Sequence, residues 1–502
     1  MQLNRRTLAS IQRSSTLAVG SPTDGPERVL QFGEGNFLRS FVDWMINAMN
    51  GRGLFDGRVV VVQPIEKGLV DVLNEQDGLY TLILRGLQSG KIVERREIIT
   101  AITRGIHPYR SWETFLATAA QPHLRFVVSN TTEAGIAYVE EPRPAGKSPT
   151  SFPAKVTALL AERFSRFGGH PAKGLIFLPC ELIDKNGEQL RSCVLRHAAA
   201  WELSQEFVHW VSAHNRFLNT LVDRIVPGYP HDEIPTLTAE LGYEDRLLTT
   251  GEIFHVWIIE GNAAIAKELP LTDAGLNVIW TSDLQPFRTR KVRILNGAHT
   301  MITLAAYLAG LDTVRQCVED PVFGAYLRRG IFDEILPLLP LPVEETRTFA
   351  GDVMERLANP FIKHNLISIA LNSVSKYRVR VLPSLLEYRA STHRLPPILT
   401  FSLAALLAFY RGTDIHDGAL MGRRPNGPYT VKDDARVLEA FRDQWHAFEQ
   451  HRDVPALCRA ILGRTDFWGE DLSSLADLVG GVATELSRIL DVGVREAVSA
   501  LS

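Results

Sequence analysis

Val29-Leu30-Gln31-Phe32-Gly33-Glu34-Gly35-Asn36-Phe37-Leu38-Arg39 reads as a strand, a glycine turn and the start of a helix. The apolar run before Gly33 has the length of a buried strand. Beyond it Phe37, Phe41, Trp44, Met45 and Met49 recur on one helical face until Gly51 ends the pattern. Strand, glycine turn and helix in that order are the context a dinucleotide-binding loop requires. Gly33 permits the tight turn, and Gly35 lets the backbone approach a pyrophosphate at the helix start. Leu38 stands where a third glycine would complete the fingerprint, so the motif is G-x-G alone. Phe32, Gly33, Gly35, Asn36 and Phe37 are the candidate cofactor contacts of this turn.

The reading extends through the first half of the chain. Arg58-Val59-Val60-Val61-Val62 is apolar enough to be buried on both faces, as a second parallel strand must be. An acidic residue at the end of that strand usually binds the ribose hydroxyls, but Gln63-Pro64 stands here. Gln63 can bond a ribose hydroxyl without repelling a 2′-phosphate, which leaves NAD and NADP both open. Glu66 nearby leans towards NAD. Segments 80–84 and 91–100 form a hairpin about Ser89-Gly90, 112–120 a helix and 124–128 another buried strand. That strand runs into Ser129-Asn130-Thr131-Thr132-Glu133. Ligands sit at the carboxyl ends of strands in doubly wound sheets, so Asn130, Thr131 and Thr132 join the cofactor set; a capped helix start explains the same letters. Helix Phe152–Phe167, a strand over 174–178 ending in the polar run 179–187, a long helix over 189–224 and strands over 254–259 and 276–280 follow. In the long helix Asn219 and Asp223 are four apart on one face, as substrate contacts or as an ordinary solvated face. The fold class is α/β, a Rossmann-like dinucleotide-binding domain over residues 1–285.

After Gln285-Pro286 the pattern turns helical to the end, giving a mostly α-helical substrate-binding and catalytic domain over 286–502. Helices are expected over 290–308, 313–330, 343–358, 361–373, 381–391, 396–411, 433–449, 454–463 and 471–501, with a loop containing Gly422 to Pro428 between them. The first of these carries Lys291-Val292-Arg293-Ile294-Leu295-Asn296-Gly297-Ala298-His299, three polar groups in an apolar stretch. At about 100° per residue, His299 points about 80° from Lys291 and Asn296 about 60° beyond His299, so all three project into one sector. Singly, each has a plain reading: a lysine at a helix start, a satisfied core histidine. Together, an amine, an amide and an imidazole can carry out carbonyl and alcohol chemistry. A buried lysine can exchange a proton, and the other two can bond an oxygen as its charge changes. Ser375-Lys376, just before another helix, can supply a second cation.

The totals restrict the function. At 502 residues the chain is long for one core and implies two domains. A hydrophobic share of 45%, a charged share of 22% and a net charge of -3 are those of a soluble globular protein with no nucleic-acid surface. No apolar run approaches the ~20 residues that span a bilayer, and no h-region follows the two N-terminal arginines. Cys180, Cys193, Cys317 and Cys458 are scattered, as reduced thiols of a cytoplasmic protein would be. His209 and His214, like His446 and His451, lack a third ligand at metal spacing, so no metal is expected, and no nucleophile motif occurs.

These features together resemble the long-chain polyol dehydrogenase family, which includes mannitol dehydrogenase, over residues 25 to 490. The marks are Lys291-x-Arg293-x-x-Asn296-Gly297-x-His299, Gly33-x-Gly35-x-Phe37-x-Arg39, Asn219-x-x-Val222-Asp223-Arg224, Trp257-Ile258-Ile259-Glu260, and Asn359-Pro360-x-Ile362 leading to Ser375-Lys376. The resemblance implies a nicotinamide cofactor, NAD, no metal, Lys291 as general base, and Asn296 and His299 holding the reacting oxygen. Two positions depart. Glu181-Leu182 stands where mannitol dehydrogenases carry Asp-Asn, and Ser368 where they carry an arginine. The runs at 177–184, 373–376 and 380–384 are most similar to the tagaturonate-reducing branch, which implies D-tagaturonate plus NADH giving D-altronate plus NAD in hexuronate breakdown. A uronate carries a carboxylate, which needs a cation; Lys376 with Arg378 or Arg380 is the expected partner. Fructuronate, mannitol or another polyol would leave the chemistry unchanged. A dinucleotide-binding regulatory protein without turnover is the reading from another class, and the intact Lys291–Asn296–His299 set argues against it. The partner is thus a small sugar acid, with no nucleic acid and no membrane, met by a monomer or small homo-oligomer.

Overall fold

Residues 1–11, 16–22, 24–132 and 134–501 are described in the computed structural model; Glu133, the last member of the polar cluster after the strand at 124–128, lies outside them. Two units divide the chain, Met1–Leu284 and Gln285–Ser502.

The first unit contains β1 (Leu17–Val19), β2 (Glu27–Phe32), β3 (Arg58–Val62), β4 (Tyr80–Gln88), β5 (Lys91–Ile99), β6 (Ile102–Ile106), β7 (Phe126–Ser129), β8 (Ile176–Pro179), β9 (Arg216–Phe217), β10 (Thr220–Asp223), β11 (Thr249–Gly251), β12 (Val256–Glu260) and β13 (Val278–Thr281). Six of them form one parallel sheet in the order β6-β3-β2-β7-β8-β9. Counted along the chain this is 3-2-1-4-5-6, the arrangement of a dinucleotide-binding sheet. The valine run of β3 shows why. Val59 and Val61 enter one core with Phe41, Met45 and Val128, while Val60 and Val62 enter the opposite core with Phe32, Leu159 and Phe177. A strand covered on both faces needs an apolar residue at every position. Strand order reverses between β2 and β7, so the carboxyl ends of these two strands flank the crevice where such sheets hold ligands.

Smaller sheets flank it, β1-β5-β4-β11 and β10-β12-β13. The β4–β5 hairpin turns at Ser89 (φ 53°) and Gly90 (φ 71°), two left-handed residues in succession, which suits the right-handed twist of its strands. The expected helix over 189–224 is corrected. It ends at Ala200, a second helix spans Gln205–His214, and the rest is β9 and β10. Asn215 ends the helical run: its side chain accepts from the Leu175 amide at 2.8 Å and donates to the Trp210 carbonyl at 3.1 Å. Phe217 then stacks on Phe177 across β8 and β9, with ring centroids 4.3 Å apart. Asn219 and Asp223 therefore do not share a helical face.

The second unit is helical around Pro397–Phe409, whose residues from Ile398 on are all buried. The helices expected over 313–330 and 471–501 each divide in two, Val314–Glu319 with Pro321–Arg329 and Ala476–Val492 with Val494–Ser499, and three other expected elements differ more. The segment read as a loop is an antiparallel meander of β14 (Ile415–His416), β15 (Ala419–Arg424) and β16 (Gly427–Val431), turning first at Asp417 (φ 48°) and Gly418 (φ 73°). The helix expected over 361–373 shrinks to Leu366–Ile369, and Asn372 (φ 54°) breaks the chain before a helix Ser373–Arg380 that contains Ser375 and Lys376. The segment 290–308 is not one α-helix: α-turns over Gln285–Lys291 and Gly297–Leu308 are joined by a π-turn over Val292–Asn296.

Candidate active site

The glycine turn after β2 has the geometry its sequence calls for. Gly33 takes φ +119°, and a Cβ there would stand 3.1 Å from the Asn130 carbonyl oxygen and 3.3 Å from Leu38 Cδ1. Gly35 precedes the helix Asn36–Ser40, and no atom lies within 4 Å of where its Cβ would be. One glycine is thus required by the neighbouring strand, and the other leaves the backbone open, as close approach of a pyrophosphate requires. Buried Arg39 fixes the loop: Nε donates to the Glu34 carbonyl at 3.0 Å and Nη2 to Asn36 Oδ1 at 2.7 Å. Phe32 is wholly buried against Phe115 and Phe152, so only its backbone can face a ligand. Phe37 stacks on Phe41 at 5.1 Å.

Other residues of the cofactor set are partly committed elsewhere. Gln63 Nε2 donates to the carbonyls of Ile65 (2.9 Å) and Glu66 (3.0 Å), and its Oε1 accepts from the Val70 amide at 3.3 Å. Both donor hydrogens shape the 64–70 loop, so of the two ways Gln63 could bond a ribose hydroxyl, donating and accepting, the first is already taken up within the loop. Asn130 Nδ2 donates to the Cys180 carbonyl at 3.0 Å. The amide and hydroxyl of Thr131 both donate to Glu181 Oε1 at 2.9 Å, and Ser129 Oγ donates to Glu181 Oε2 at 3.0 Å. Burial raises the Glu181 pKa despite these bonds. Glu181, read from sequence only as a departure from the family pattern, clamps the ends of β7 and β8 beside the crevice. The facing hydroxyls of Ser129 and Thr131 were the signal for it. Thr132 takes φ +78°, which a β-branched residue holds only under constraint.

Asn219 is used within the first unit. Its Oδ1 accepts from the amides of Gly187 and Glu188 at 3.1 Å, and its Nδ2 donates to Glu188 Oε1 at 3.0 Å and Glu260 Oε2 at 2.7 Å. No donor of its amide is left for a substrate. Asp223 is buried in β10, paired with Val256.

In the second unit the π-turn sets the geometry. The Gly297 amide bonds the Val292 carbonyl, five residues back. Such a turn takes up one extra residue, so Lys291 and Asn296 are related as positions four apart are in an α-helix, about 40° rather than about 140°. His299, three residues on, comes back to within about 20° of Lys291. The π-turn narrows the sector holding the three side chains to about 60°. Arg290–Glu345 (2.6 Å) and Arg293–Glu387 ion pairs hold the segment.

His299 is buried, and desolvation, then the nearby His364, lower its pKa to about 3, so it is neutral at physiological pH. Its Nδ1 lies 3.0 Å from the Leu295 carbonyl. A carbonyl only accepts, so Nδ1 carries the hydrogen and Nε2 carries a lone pair. Nε2 is buried without a partner. The expectation that His299 donates to the reacting oxygen is corrected: a neutral ring with Nδ1 so occupied presents an acceptor. The His364 ring lies 5.7 Å away, centroid to centroid.

Lys376 and Arg378 do not act together. Two residues apart on the helix Ser373–Arg380, they point about 200° apart. Arg378 lies against Gly469, 2.8 Å from where a Cβ would stand, and lines a cavity with Asp433, Asp434 and Asp466. Arg380, four residues after Lys376, shares its face, and its carbonyl lies 3.1 Å from where a Cβ on Gly297 would be. The structure thus brings Lys291, Asn296 and His299 together, adds His364 and Arg380, and sets Arg378 apart. Among the described residues no group of three or more His, Cys, Asp or Glu side chains could hold a metal ion. No helix among them is long and apolar enough to cross a membrane.

Comparison with known proteins agrees with this architecture. Residues 27–273 match the family model of the mannitol dehydrogenase Rossmann domain and residues 283–490 that of the mannitol dehydrogenase C-terminal domain. An altronate oxidoreductase of Halalkalibacterium halodurans is 45% identical over 476 residues, covering 94% of this chain and 93% of that protein. One of Escherichia coli is 46% identical over 481 residues, covering 95% and 97%. Among solved structures, a D-sorbitol dehydrogenase in substrate-free form superposes with a TM-score of 0.81 at 21% identity, covering 99% of this chain and 100% of that one. The Pseudomonas fluorescens mannitol 2-dehydrogenase ternary complex with NAD and D-mannitol does so at 0.70 and 22%, covering 100% and 99%.

Proposed function

The chain belongs to the mannitol dehydrogenase family, and from that premise we propose that it is an NAD-dependent oxidoreductase acting on CH–OH groups that interconverts D-altronate and D-tagaturonate. The observation that carries this reading is the Lys291–Asn296–His299 set on one face of a helix with a π-turn. The 45–46% identity to altronate oxidoreductases over most of their length supports the substrate. The open backbone at Gly35 and the sheet order about β2 and β7 fit a dinucleotide.

NADH, when bound, supplies hydride to the ketone carbon. Lys291 as ammonium gives its proton to the ketone oxygen, and the Asn296 amide donates to that oxygen as negative charge develops. His299 Nε2 accepts from a neighbouring substrate hydroxyl, which orients the chain of the sugar acid. In oxidation neutral Lys291 takes the hydroxyl proton as the hydride leaves carbon. All four cysteines are buried and unbridged, which supports a reducing compartment, and we assign the enzyme to the cytoplasm as a monomer or small homo-oligomer. NADH consumption with tagaturonate, fructuronate and fructose, for wild type and Lys291→Ala, tests the reading. Wild type should turn over tagaturonate fastest, and the variant should bind NADH without turnover. Preference for fructuronate or fructose overturns the substrate, and an active Lys291→Ala overturns the site.

A further inference from the structure

Around His299 the second unit gathers positive charge. Arg356 and Arg380 act on His299 electrostatically, His364 stands 5.7 Å from it, and Lys376 shares a helical face with Arg380. The cations on the helix Ser373–Arg380 differ in their partners. Lys376 Nζ donates to the Ile369 carbonyl at 2.9 Å, which uses one of its three hydrogens. Asp433, the acid that acts on Lys376, is already bonded by the Tyr410 hydroxyl and the amides of Val374 (3.4 Å) and Asp434 (2.8 Å). The Arg380 guanidinium is half-buried and has neither a carboxylate nor a hydrogen-bond partner among the described residues; the effect that shifts its pKa is loss of water, which lowers it. In the same unit Arg290 is paired with Glu345 and Arg424 with Asp312. A guanidinium withdrawn from water and left without an anion is costly unless a ligand supplies one. The second observation is the orphaned lone pair of buried His299 in the same cluster.

We propose that Arg380, with Lys376 one turn before it, grips the substrate carboxylate and makes the site selective for a sugar acid over the neutral sugar. The inference rests on the sugar-acid reading above and names its specificity residue. In a ketouronate the ketone and the carboxylate lie near opposite ends of the carbon chain, so separate groups must hold them. Lys291 and Asn296 serve the ketone. Arg380, a planar donor fork, suits the carboxylate.

The test compares kcat/KM for tagaturonate with that for tagatose, which carries a hydroxymethyl in place of the carboxylate, at saturating NADH. Arg380→Met should lower the ratio of the two about 10- to 100-fold, the effect of losing a charge-assisted bond. Arg380→Lys should restore part of it. Thermal melting and the NADH dissociation constant of each variant show whether the fold is intact, and Lys376→Met supplies a second variant whose ratio should fall less. If both substrates lose equally, or neither changes, Arg380 does not read the carboxylate. Failure of the reaction reading looks different: wild type would not reduce tagaturonate. If wild type then reduces fructuronate, the same ratio is read against fructose; if it reduces neutral sugars alone, the carboxylate grip is overturned as well.

Discussion

His299 shows how one hydrogen bond fixes a role. With Nδ1–H given to the Leu295 carbonyl and a pKa of about 3, the ring does not titrate in the working range. His299→Asn should lower kcat yet leave the shape of the pH–rate profile for altronate oxidation between pH 5.5 and 9 unchanged. A change of shape would show that the imidazole ionises there. On the proposed mechanism Asn296→Ala removes the amide donor to the reacting oxygen and should cost about 10²–10³ in kcat with little change in NADH affinity, read by single-turnover kinetics. Glu181 is of another kind. Its carboxylate satisfies two hydroxyls and one amide at the crevice. Glu181→Leu leaves them unpaired and should weaken NADH binding about 10-fold, whereas Glu181→Gln should retain most of it; fluorescence titration decides.

At the scale of elements, the π-turn aligns the site. Inserting an alanine after Val292 would add one residue more than the π-turn takes up and rotate Lys291 by about 100° relative to Asn296 and His299. Activity should fall at least about 100-fold while circular dichroism and NADH affinity stay as in wild type. Retained activity would mean that the alignment has no catalytic part. The sequence shows Lys291, Asn296 and His299 as a set because their spacing suits a helix, but a π-turn leaves no mark in residue type, so the sector appears wider than it is. Other elements follow the same logic. β3 is plain because burial on both faces demands Val59 to Val62 without interruption. The run from Arg216 to Asp223 is ambiguous, since Phe217, Leu218, Leu221 and Val222 fit a helical stripe as well as two short strands, and Asn215 decides by bonding across to Leu175. Asp417-Gly418 is a hairpin signal that the arginine- and proline-rich segment after it hides. Arg378 and Arg380 are indistinguishable as letters. The helix beginning at Ser373, rather than after it, puts Arg380 on the face of Lys376.

At the scale of the molecule, Asp43 in the first unit and Glu334 in the second are buried carboxyls whose pKa values burial raises to about 7. Asp43 lies beneath the glycine turn, where Gln31 Nε2 donates to it at 3.0 Å and also to the Gly33 carbonyl at 3.0 Å; burial raises its pKa to about 7. Glu334 caps the central helix of the second unit, accepting from the amides of Ile398 (2.8 Å) and Leu399 (2.9 Å), and burial raises it to about 7. Both values exceed those of the unfolded chain. Each group therefore binds its proton more tightly when folded, adds stability at low pH, and loses it as pH rises through about 7. Melting at pH 5 and pH 8 should show a decline attributable to each, on the order of 1–3 kcal/mol. Asp43→Asn should flatten it for the first unit and Glu334→Gln for the second. Variants with the wild-type slope would show that these carboxyls titrate normally.

The β4–β5 hairpin ends in Ser89 and Gly90, both exposed, with nothing within 4 Å of where a Cβ on Gly90 would stand. Chain inserted at such an exposed tip lies clear of the sheet core behind it. It is a natural tether: a cysteine-bearing or biotin-acceptor loop spliced there would fix the protein to an electrode or bead without disturbing the glycine turn of the same unit.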